Sequence, residues 1–280
     1  MTTQQATLAF HDGRRIPQLG LGTWKLTGET AVPAILAALE AGYRAIDTAY
    51  IYYNETEVGQ AIARSGIPRN ELFVTTKVWN NRHGHDEPKA ALEESLERLG
   101  LDAVDLFLIH WPVPMEHRYI ETWQALIQLR DEGLAKSIGV CNFEIDLLQE
   151  LLDQTGVLPV LNQIELHPYF QQKALRAFHA DHGILTQAWS PLGHGSVLQD
   201  PVFLELAHQL QATPAQVILA WHLQSGHLAV PKSGNAQRIR ENFNVWNLHL
   251  DDDAMARIAA LDRADGRTGA DPMRFHLMEG

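Results

Sequence analysis

The stretch LFVTTK at residues 72–77, with EPKAALEESLERLG at 87–100 and VDLFLIHW at 104–111 after it, decides the fold. The first and third segments are short and mostly apolar, which is typical of parallel strands that are buried on both faces. In the middle segment the apolar residues share one helical face, and the charged residues lie elsewhere. That apolar face consists of Ala91, Leu92, Leu96 and Leu99. The three segments together predict a strand, an amphipathic helix and a second, parallel strand.

The same alternation extends outward in both directions, from about residue 17 almost to the end, and no linker interrupts it. The eight candidate strands are PQLGLGTW (17–24), YRAIDTA (43–49), LFVTTK (72–77), VDLFLIHW (104–111), KSIGVCNF (136–143), VLNQIEL (160–166), ILTQAW (184–189) and LAVPKS (228–233). Strict alternation favours a parallel sheet, and eight units that close on themselves make a (β/α)8 TIM barrel. An open doubly wound sheet is the alternative.

Both ends of the chain add elements to this barrel. TLAF and RRIPQL flank a His-Asp-Gly-Arg turn, which predicts an N-terminal β-hairpin with Gly13 at positive φ, placed as a plug at the bottom of the barrel. Two extra helical stretches, Asn235–Phe243 and Asp251–Leu261, follow the last strand, and the tail through Gly280 is expected to cover part of the barrel mouth. We interpret residues 1–280 as a single domain.

Composition excludes several classes of function. The formal net charge of -12 leaves no broad cationic surface for nucleic acid or anionic lipid. No apolar run reaches the roughly 20 residues that a membrane-spanning helix needs, and the first ten residues do not resemble a signal peptide. The single cysteine, Cys141, cannot form an internal disulfide. We therefore expect a cytoplasmic protein, and a monomer, that acts on a small molecule.

Four ionisable side chains occur at or just after successive predicted strand ends, where TIM barrels build their active sites. They are Asp47, Tyr52, Lys77 and His110. A charged Lys77 beside Tyr52 would lower the pKa of the phenol, and Asp47 would keep Lys77 charged. Tyr52 would then donate a proton while neutral His110 aligns a substrate carbonyl. Each residue taken alone also has a structural interpretation, as an ion pair or as packing.

Longer motifs resemble the aldo-keto reductase superfamily over nearly the whole chain. They are GYRAIDTAYIYYNETEVG, TTKVW, LIHWP, KSIGVCNF, NQIELHP, AWSPLG and VPKSGNAQRIREN. The resemblance implies an NADPH-dependent reductase of carbonyl groups in which Asp47, Tyr52, Lys77 and His110 are catalytic. Within the superfamily, the chain is similar in particular to the bacterial 2,5-diketo-D-gluconate reductase branch, because the segment from His110 to Tyr119 and the tail are short.

The resemblance also implies a binding site for NADPH or NADP+. Asn142 and Gln163 would bind the nicotinamide carboxamide, and Trp189 would stack on its ring. The pyrophosphate would lie against Ser190, Leu192 and Gly193, and the 2′-phosphate would lie against Lys232, Ser233 and Arg238. The adenine would lie near Glu241 and Asn242. The other cofactor-binding residues that the resemblance implies are Gly22, Thr23, Asp47 and Cys141. A cationic fork suits a phosphate.

Two residues depart from the family pattern. Tyr53 stands where glycine is common after the catalytic tyrosine, which predicts an altered loop geometry around Tyr52. Cys141 stands where serine is commoner before Asn142, and a thiol is a weaker hydrogen-bond partner. We expect Cys141 to be buried and unreactive.

The substrate pocket is expected to have an aromatic wall made of Trp24, Trp79 and Trp111. Such a wall favours compact substrates, although the three tryptophans could instead only pack at the rim. The resemblance to the 2,5-diketo-D-gluconate reductase branch implies small aldehydes, α-dicarbonyls or keto-sugars such as 2,5-diketo-D-gluconate. The loop NNRHGHDE carries His83 and His85, but the remaining ligands of a metal site are not at suitable spacing, so we predict a solvated loop and no metal.

Two other functions fit parts of the pattern. In a Schiff-base aldolase, Lys77 would attack a carbonyl, although Asp47 would oppose the neutral amine that this requires. In a non-enzymatic regulatory module, NADPH would bind without turnover.

Overall fold

The computed structural model describes residues 5–279, and its strands form two sheets. An antiparallel hairpin comprises β1 (Thr7–Ala9) and β2 (Arg15–Pro17). The large sheet comprises β3 (Leu21–Gly22), β4 (Ala45–Asp47), β5 (Phe73–Val78), β6 (Val104–Ile109), β7 (Ala135–Cys141), β8 (Leu161–Glu165), β9 (Leu185–Trp189) and β10 (Leu228–Ala229). Its strands are parallel and neighbour one another in chain order.

Backbone hydrogen bonds between the first and last strands close this sheet. Gly20 N donates to Ala229 O at 2.9 Å, and Ala229 N donates to Gln18 O at 3.0 Å. At the next step Gly22 lies so close that a Cβ there would be 2.6 Å from Val230 O, so this approach requires glycine. The predicted (β/α)8 barrel is confirmed, and the open doubly wound alternative is wrong.

The first and last barrel strands are shorter than the sequence predicted. Pro17 belongs to the hairpin rather than to the barrel, and only two residues of LAVPKS, Leu228 and Ala229, form a strand. The last strand pairs with the first only through isolated bridges, Leu19 to Ala229 and Gly22 to Lys232. Pro231 has no N–H to donate, which limits regular pairing at this seam.

Helices follow every strand of the barrel. They are α1 (Ala31–Ala41), α2 (Glu55–Ser65), α3 (Glu87–Leu99), α4 (Tyr119–Asp131), α5 (Ile145–Thr155), α6 (Lys173–Asp181), α7 (Pro201–Gln209), α8 (Pro214–Gln224), α9 (Ala236–Phe243) and α10 (Asp252–Ala259). The α3 prediction is confirmed: its four apolar residues are buried, and Gly100 ends the helix at φ +65°. The helices predicted after the last strand are α9 and α10. In the range 5–279, no helix is long and apolar enough to cross a membrane.

The predicted hairpin closes the bottom of the barrel. Gly13 has φ +87°, as the turn requires. Phe10 and Ile16 are buried with Leu106 and Leu108 in the core inside the barrel. A separate, larger core lies between the strands and the surrounding helices. The bottom is therefore packed, and the opposite end, where the strands finish, is left for the site.

Candidate active site

A buried ion pair lies at the C-terminal end of β4 and β5. Lys77 is fully buried, and its Nζ donates to Asp47 Oδ1 at 2.6 Å and to Thr48 O at 2.8 Å. The second carboxylate oxygen of Asp47 accepts from Gln163 Nε2 at 2.7 Å. A buried charge pair is tolerated when its members have further hydrogen-bond partners, and here two of the three ammonium donors and both carboxylate oxygens have one.

The electrostatic balance keeps Lys77 protonated. Burial by itself lowers the pKa of Lys77, but the negative charge of Asp47 and the neighbouring Tyr52 outweigh burial and raise the pKa above its ordinary value. A lysine in this state is a fixed positive charge and a poor nucleophile.

Tyr52 lies directly beside this charge. It ends a short 3-10 turn, Tyr50–Tyr52, and Lys77 Nζ is 5.0 Å from the centroid of its ring. Burial raises the pKa of Tyr52 to about 12, although the charge of Lys77 lowers it in part. The predicted net decrease is therefore wrong: Lys77 acts in the predicted direction, but desolvation of the phenolate is the larger effect. The phenol is fully protonated near neutral pH.

His110 follows β6 and completes the group. Its ring centroid lies 5.6 Å from that of Tyr52, at an interplanar angle of 75°, and 5.1 Å from that of Trp79. Burial, together with the positive charge of Lys77, holds the pKa of His110 well below 6.5, so the imidazole is neutral. Its Nδ1 is buried without a hydrogen-bond partner among residues 5–279. A neutral imidazole donates one hydrogen bond and carries no charge.

The loop that carries Tyr52 is held by Asn54, which sequence reasoning missed. The fully buried Asn54 donates to Thr23 O and Leu26 O, both at 2.8 Å, and accepts from Thr48 Oγ1 at 2.7 Å. Its neighbour Tyr53 is 65% exposed and has φ +53°. One sequence signal could have indicated the left-handed backbone of this loop. Relatives commonly have glycine at the position of Tyr53, and a left-handed backbone favours glycine.

Tyr53→Gly is expected to raise the free energy of unfolding by about 0.5–1 kcal/mol, because a left-handed conformation costs about 1–2 kcal/mol for a residue with a Cβ and glycine's larger unfolded-state entropy offsets part of the gain. Urea unfolding followed by circular dichroism measures the change. Tyr53→Ala is the matched control, since alanine keeps the Cβ. Equal stabilisation by both variants would contradict the strain at Tyr53.

The aromatic wall is only partly as predicted. Trp79 is buried, Trp111 is partly exposed, and Trp24 is 45% exposed at the rim. The sequence missed Phe275, whose ring lies 4.3 Å from Trp111 and 6.2 Å from Trp79. Only the tail as a whole was expected at the barrel mouth, and nothing near Phe275 in the sequence indicated its contacts.

The prediction of a solvated His-rich loop is wrong for His83. This residue is 2% exposed, and burial lowers its pKa to about 4. His85 is exposed as expected and lies 2.9 Å from Asp86. The loop turns inward because Asn80 donates to Leu277 O in the tail at 2.8 Å and Gly84 N donates to Thr122 Oγ1 at 2.9 Å.

The residues expected to bind nicotinamide form one connected network. Trp189 Nε1 donates to Asn142 Oδ1 at 2.7 Å, and Asn142 Nδ2 donates to His110 O at 3.0 Å. Gln163 uses its amide N–H groups on Asp47 and on Gln187 Oε1, the latter at 2.6 Å, which leaves its Oε1 as the acceptor. Cys141 Sγ lies 3.9 Å from that Oε1 and is fully buried, and burial raises the pKa of its thiol.

The segment after β9 has an unusual backbone. Ser190, Gly193, His194 and Gly195 all have positive φ, between +46° and +89°. Successive turns of this kind aim backbone N–H groups toward an anion. Leu192, between them, packs against the main core. This backbone geometry suits the pyrophosphate role that the resemblance implied.

The two candidate phosphate-binding cations lie just before α9 and in its first turn. Lys232 and Arg238 are exposed, and neither forms an ion pair with any residue from 5 to 279. Asn235 caps the helix by accepting from Arg238 N at 3.0 Å, and Ser233 Oγ accepts from Asn235 N at 3.1 Å. A helix start adds partial positive charge. The bridge to Gly22 puts Lys232 on the same rim as the ion pair.

The remaining predicted cofactor-binding residues lie beside the Asp47–Lys77 pair or on α9. Thr23 Oγ1 donates to Asp47 O at 2.9 Å and is fully buried. Glu241 accepts from Gln237 Nε2 at 2.7 Å, and Asn242 is buried on the same helix. The structure thus arranges the predicted residues along one rim, from the four predicted catalytic residues through Trp189 to α9.

Comparison with known proteins identifies the family. The model of the aldo/keto reductase family matches residues 18–263. Methylglyoxal reductase DkgA of Escherichia coli strain K12 is 50% identical over 270 residues, which cover 96% of this chain and 97% of that protein. An aldo-keto reductase of Mycolicibacterium smegmatis is 49% identical over 270 residues, 96% of this chain and 98% of that protein.

Solved structures of aldo-keto reductases have the same fold as this chain. The apo form of Gox0644 superposes with a TM-score of 0.94 at 46% identity, covering 98% of this chain and 99% of that one. A Gox0644 mutant in complex with NADPH gives the same TM-score, identity and coverage. The Bombyx mori aldo-keto reductase in complex with NADP gives a TM-score of 0.88 at 37% identity, covering 93% and 94%. The chain therefore belongs to the aldo/keto reductase family.

Proposed function

We propose that this protein uses NADPH to reduce the carbonyl group of small aldehydes, α-dicarbonyls or keto-sugars to an alcohol. The observation that carries the proposal is the buried Asp47–Lys77 pair beside a protonated Tyr52 and a neutral His110, on one barrel rim. The relatives named methylglyoxal reductase support an α-dicarbonyl substrate.

Each of the four side chains has a distinct task. NADPH, when bound, supplies the hydride that reaches the carbonyl carbon. His110 donates a hydrogen bond to the carbonyl oxygen and orients it. Tyr52 transfers its proton to that oxygen as negative charge develops there, since a phenol is a stronger acid than the alcohol being formed. Lys77 stabilises the resulting phenolate, and Asp47 holds Lys77 in place.

The chain's own residues fit NADPH at three points. The partly exposed Trp189 ring and the Asn142 side chain lie next to His110, where a nicotinamide ring would have to be. The left-handed turns of residues 190–195 suit the pyrophosphate. Lys232 and Arg238 have no competing carboxylate partners in the described part of the chain, so both are available to a 2′-phosphate.

Lys232→Ala and Arg238→Ala are each expected to weaken NADPH binding by about 10- to 100-fold, because each removes a charge-assisted hydrogen bond to the 2′-phosphate. Binding of NADH, which lacks that phosphate, should stay nearly unchanged. Titration of nicotinamide fluorescence measures both dissociation constants.

Arg240→Ala is the matched control, since Arg240 is an exposed arginine on the same helix whose guanidinium lies 3.7 Å from Glu40. It removes the same charge and should not change the ratio of the two affinities. Equal losses for NADPH and NADH in Lys232→Ala or Arg238→Ala would refute the assignment of the phosphate site.

The two alternative functions make different predictions. A Schiff-base aldolase needs a neutral Lys77, and the raised pKa of Lys77 opposes it. Borohydride trapping of a substrate adduct on Lys77 would favour the aldolase. NADPH binding without oxidation by any carbonyl would favour the regulatory module.

A substrate panel tests the proposal. The purified protein is supplied with NADPH and with methylglyoxal, a simple aldehyde, 2,5-diketo-D-gluconate or no substrate. We expect NADPH oxidation that depends on at least one carbonyl. Absence of oxidation with all of them would reject the proposed function.

A further inference from the structure

Glu165 is a buried carboxylate to which the proposed chemistry gives no task. It ends β8, two residues after Gln163, and is 1% exposed. Its Oε1 accepts from Thr268 N and Thr268 Oγ1, both at 2.6 Å, and from His167 Nε2 at 3.1 Å. Its Oε2 accepts from Gly269 N at 2.9 Å. Three of these four donors belong to the C-terminal tail.

The charge of this carboxylate is maintained by the same contacts. Burial by itself raises the pKa of Glu165, but the hydrogen bonds from His167, Thr268 and Gly269 outweigh burial and hold the pKa at about 2. Hydrogen bonds to an ionised acceptor are roughly twice as strong as neutral ones. Glu165 is therefore a strong anchor for residues 268–269 throughout the neutral range.

The anchored tail lies directly against Trp189. A Cβ at Gly269 would overlap Cη2 of the Trp189 ring, and a Cβ at Gly266 would overlap Tyr169 O. No side chain fits between this part of the tail and the barrel rim. The position of the tail and the position of the Trp189 ring are thus coupled by direct contact.

The same tail then reaches the pocket wall. Phe275 contacts Trp111, with ring centroids 4.3 Å apart, and Leu277 O accepts from Asn80 at 2.8 Å. The other polar anchor near Thr268 is weaker, because the Arg267–Glu144 pair, at 3.3 Å, is partly exposed to solvent. The buried Glu165 thus holds the start of the segment that leads from Trp189 to Phe275, and Asn80 holds the chain just beyond Phe275.

We propose that Glu165 is a positioning residue that anchors residues 266–275 across Trp189 and thereby places Phe275 in the wall that selects small carbonyl substrates. Glu165 does not touch the reacting atoms. It acts through the tail, so it should affect substrate fit more than proton or hydride transfer. This inference rests on the proposed function for the identity of the site, but the anchoring itself does not.

Glu165→Gln tests the anchor with nearly the same side-chain shape. One oxygen is replaced by an NH2 group that cannot accept from Thr268, Gly269 or His167. We expect faster hydrogen exchange of backbone amides in residues 266–275, measured by mass spectrometry. We also expect the ratio of kcat/KM for methylglyoxal to that for a bulky aromatic aldehyde to fall on the order of tenfold, mainly through KM.

Three further variants make the result specific. Phe275→Ala should shift the same ratio in the same direction, and the double variant should shift it no further than the larger single change, because both act through one element. Thr268→Val, which removes one of the four donors, should give a smaller shift and serves if Glu165→Gln does not fold.

Asp105→Asn is the matched control, since Asp105 is a buried carboxylate at the opposite end of the barrel that accepts from Val74 N.

The outcomes separate the two proposals. Unchanged exchange and an unchanged substrate ratio in Glu165→Gln would overturn the positioning role. An equal shift of the ratio in Asp105→Asn would show a general loss of stability instead and would also overturn it. If the wild-type protein reduces no carbonyl, the proposed function fails, and hydrogen exchange still decides whether Glu165 anchors the tail.

Discussion

Tyr52→Phe is expected to lower kcat for carbonyl reduction by about two to four orders of magnitude, the usual contribution of a positioned general acid. The variant loses one hydroxyl and keeps the ring beside Lys77. The dissociation constant for NADPH should change little, because no residue proposed to bind the cofactor is altered. Single-turnover oxidation of NADPH at saturating substrate measures the effect on the chemical step.

Tyr50→Phe is the matched control for this variant. Tyr50 lies in the same 3-10 turn, where its ring is 4.9 Å from the guanidinium of Arg98, and the substitution also removes one phenolic hydroxyl. It should retain nearly full turnover. A Tyr52→Phe enzyme as active as Tyr50→Phe would exclude Tyr52 as the proton donor.

Acidification below pH 6.5 is expected to destabilise the protein steeply. Burial, together with the charge of Arg176, lowers the pKa of His179 and His222 to about 3 and that of His227 to about 2. Between these values and 6.5 the unfolded chain binds protons that the folded chain does not, so stability falls as the pH falls. Each such histidine contributes at most roughly 1 kcal/mol per pH unit, and the buried His83 and His110, whose pKa values are also lowered, act in the same direction.

Urea unfolding at pH 7, 6 and 5 measures this slope. The range from pH 6.5 to 5 isolates the histidines, because the carboxylate of Glu165, with a folded pKa of about 2, loses its contribution only below its ordinary value of 4.5. His222→Gln should make the unfolding free energy less dependent on pH, by about the proton that His222 binds only in the unfolded chain. Equal stability at pH 7 and pH 5 would contradict the prediction.

The sequence predicted the architecture well because the barrel is built from local patterns. Each strand is a short apolar run, and each helix carries its own apolar face, as Leu92 and Leu96 do in α3. The site followed from the same logic: polar residues that end otherwise apolar strands, such as Lys77 and His110, lie at the rim where parallel strands finish.

The features that the sequence did not predict depend on contacts between distant segments. Glu165 meets Thr268, about a hundred residues later, and Phe275 meets Trp111, so no local pattern indicates either contact. The burial of His83 similarly depends on its packing against other segments. The pKa of Tyr52 could be argued only in part, since the sequence shows the charge of Lys77 but not the extent of burial.

The most direct test of the central claim follows the hydride. NADPH that carries deuterium at C4 of the nicotinamide, on each face in turn, is incubated with the protein and each carbonyl of the substrate panel, and the products are analysed by mass spectrometry. We expect an alcohol that carries deuterium at the former carbonyl carbon, from one face only, and no such product with Tyr52→Phe in the same time. An alcohol without deuterium from either face, or no alcohol at all, would contradict the central claim.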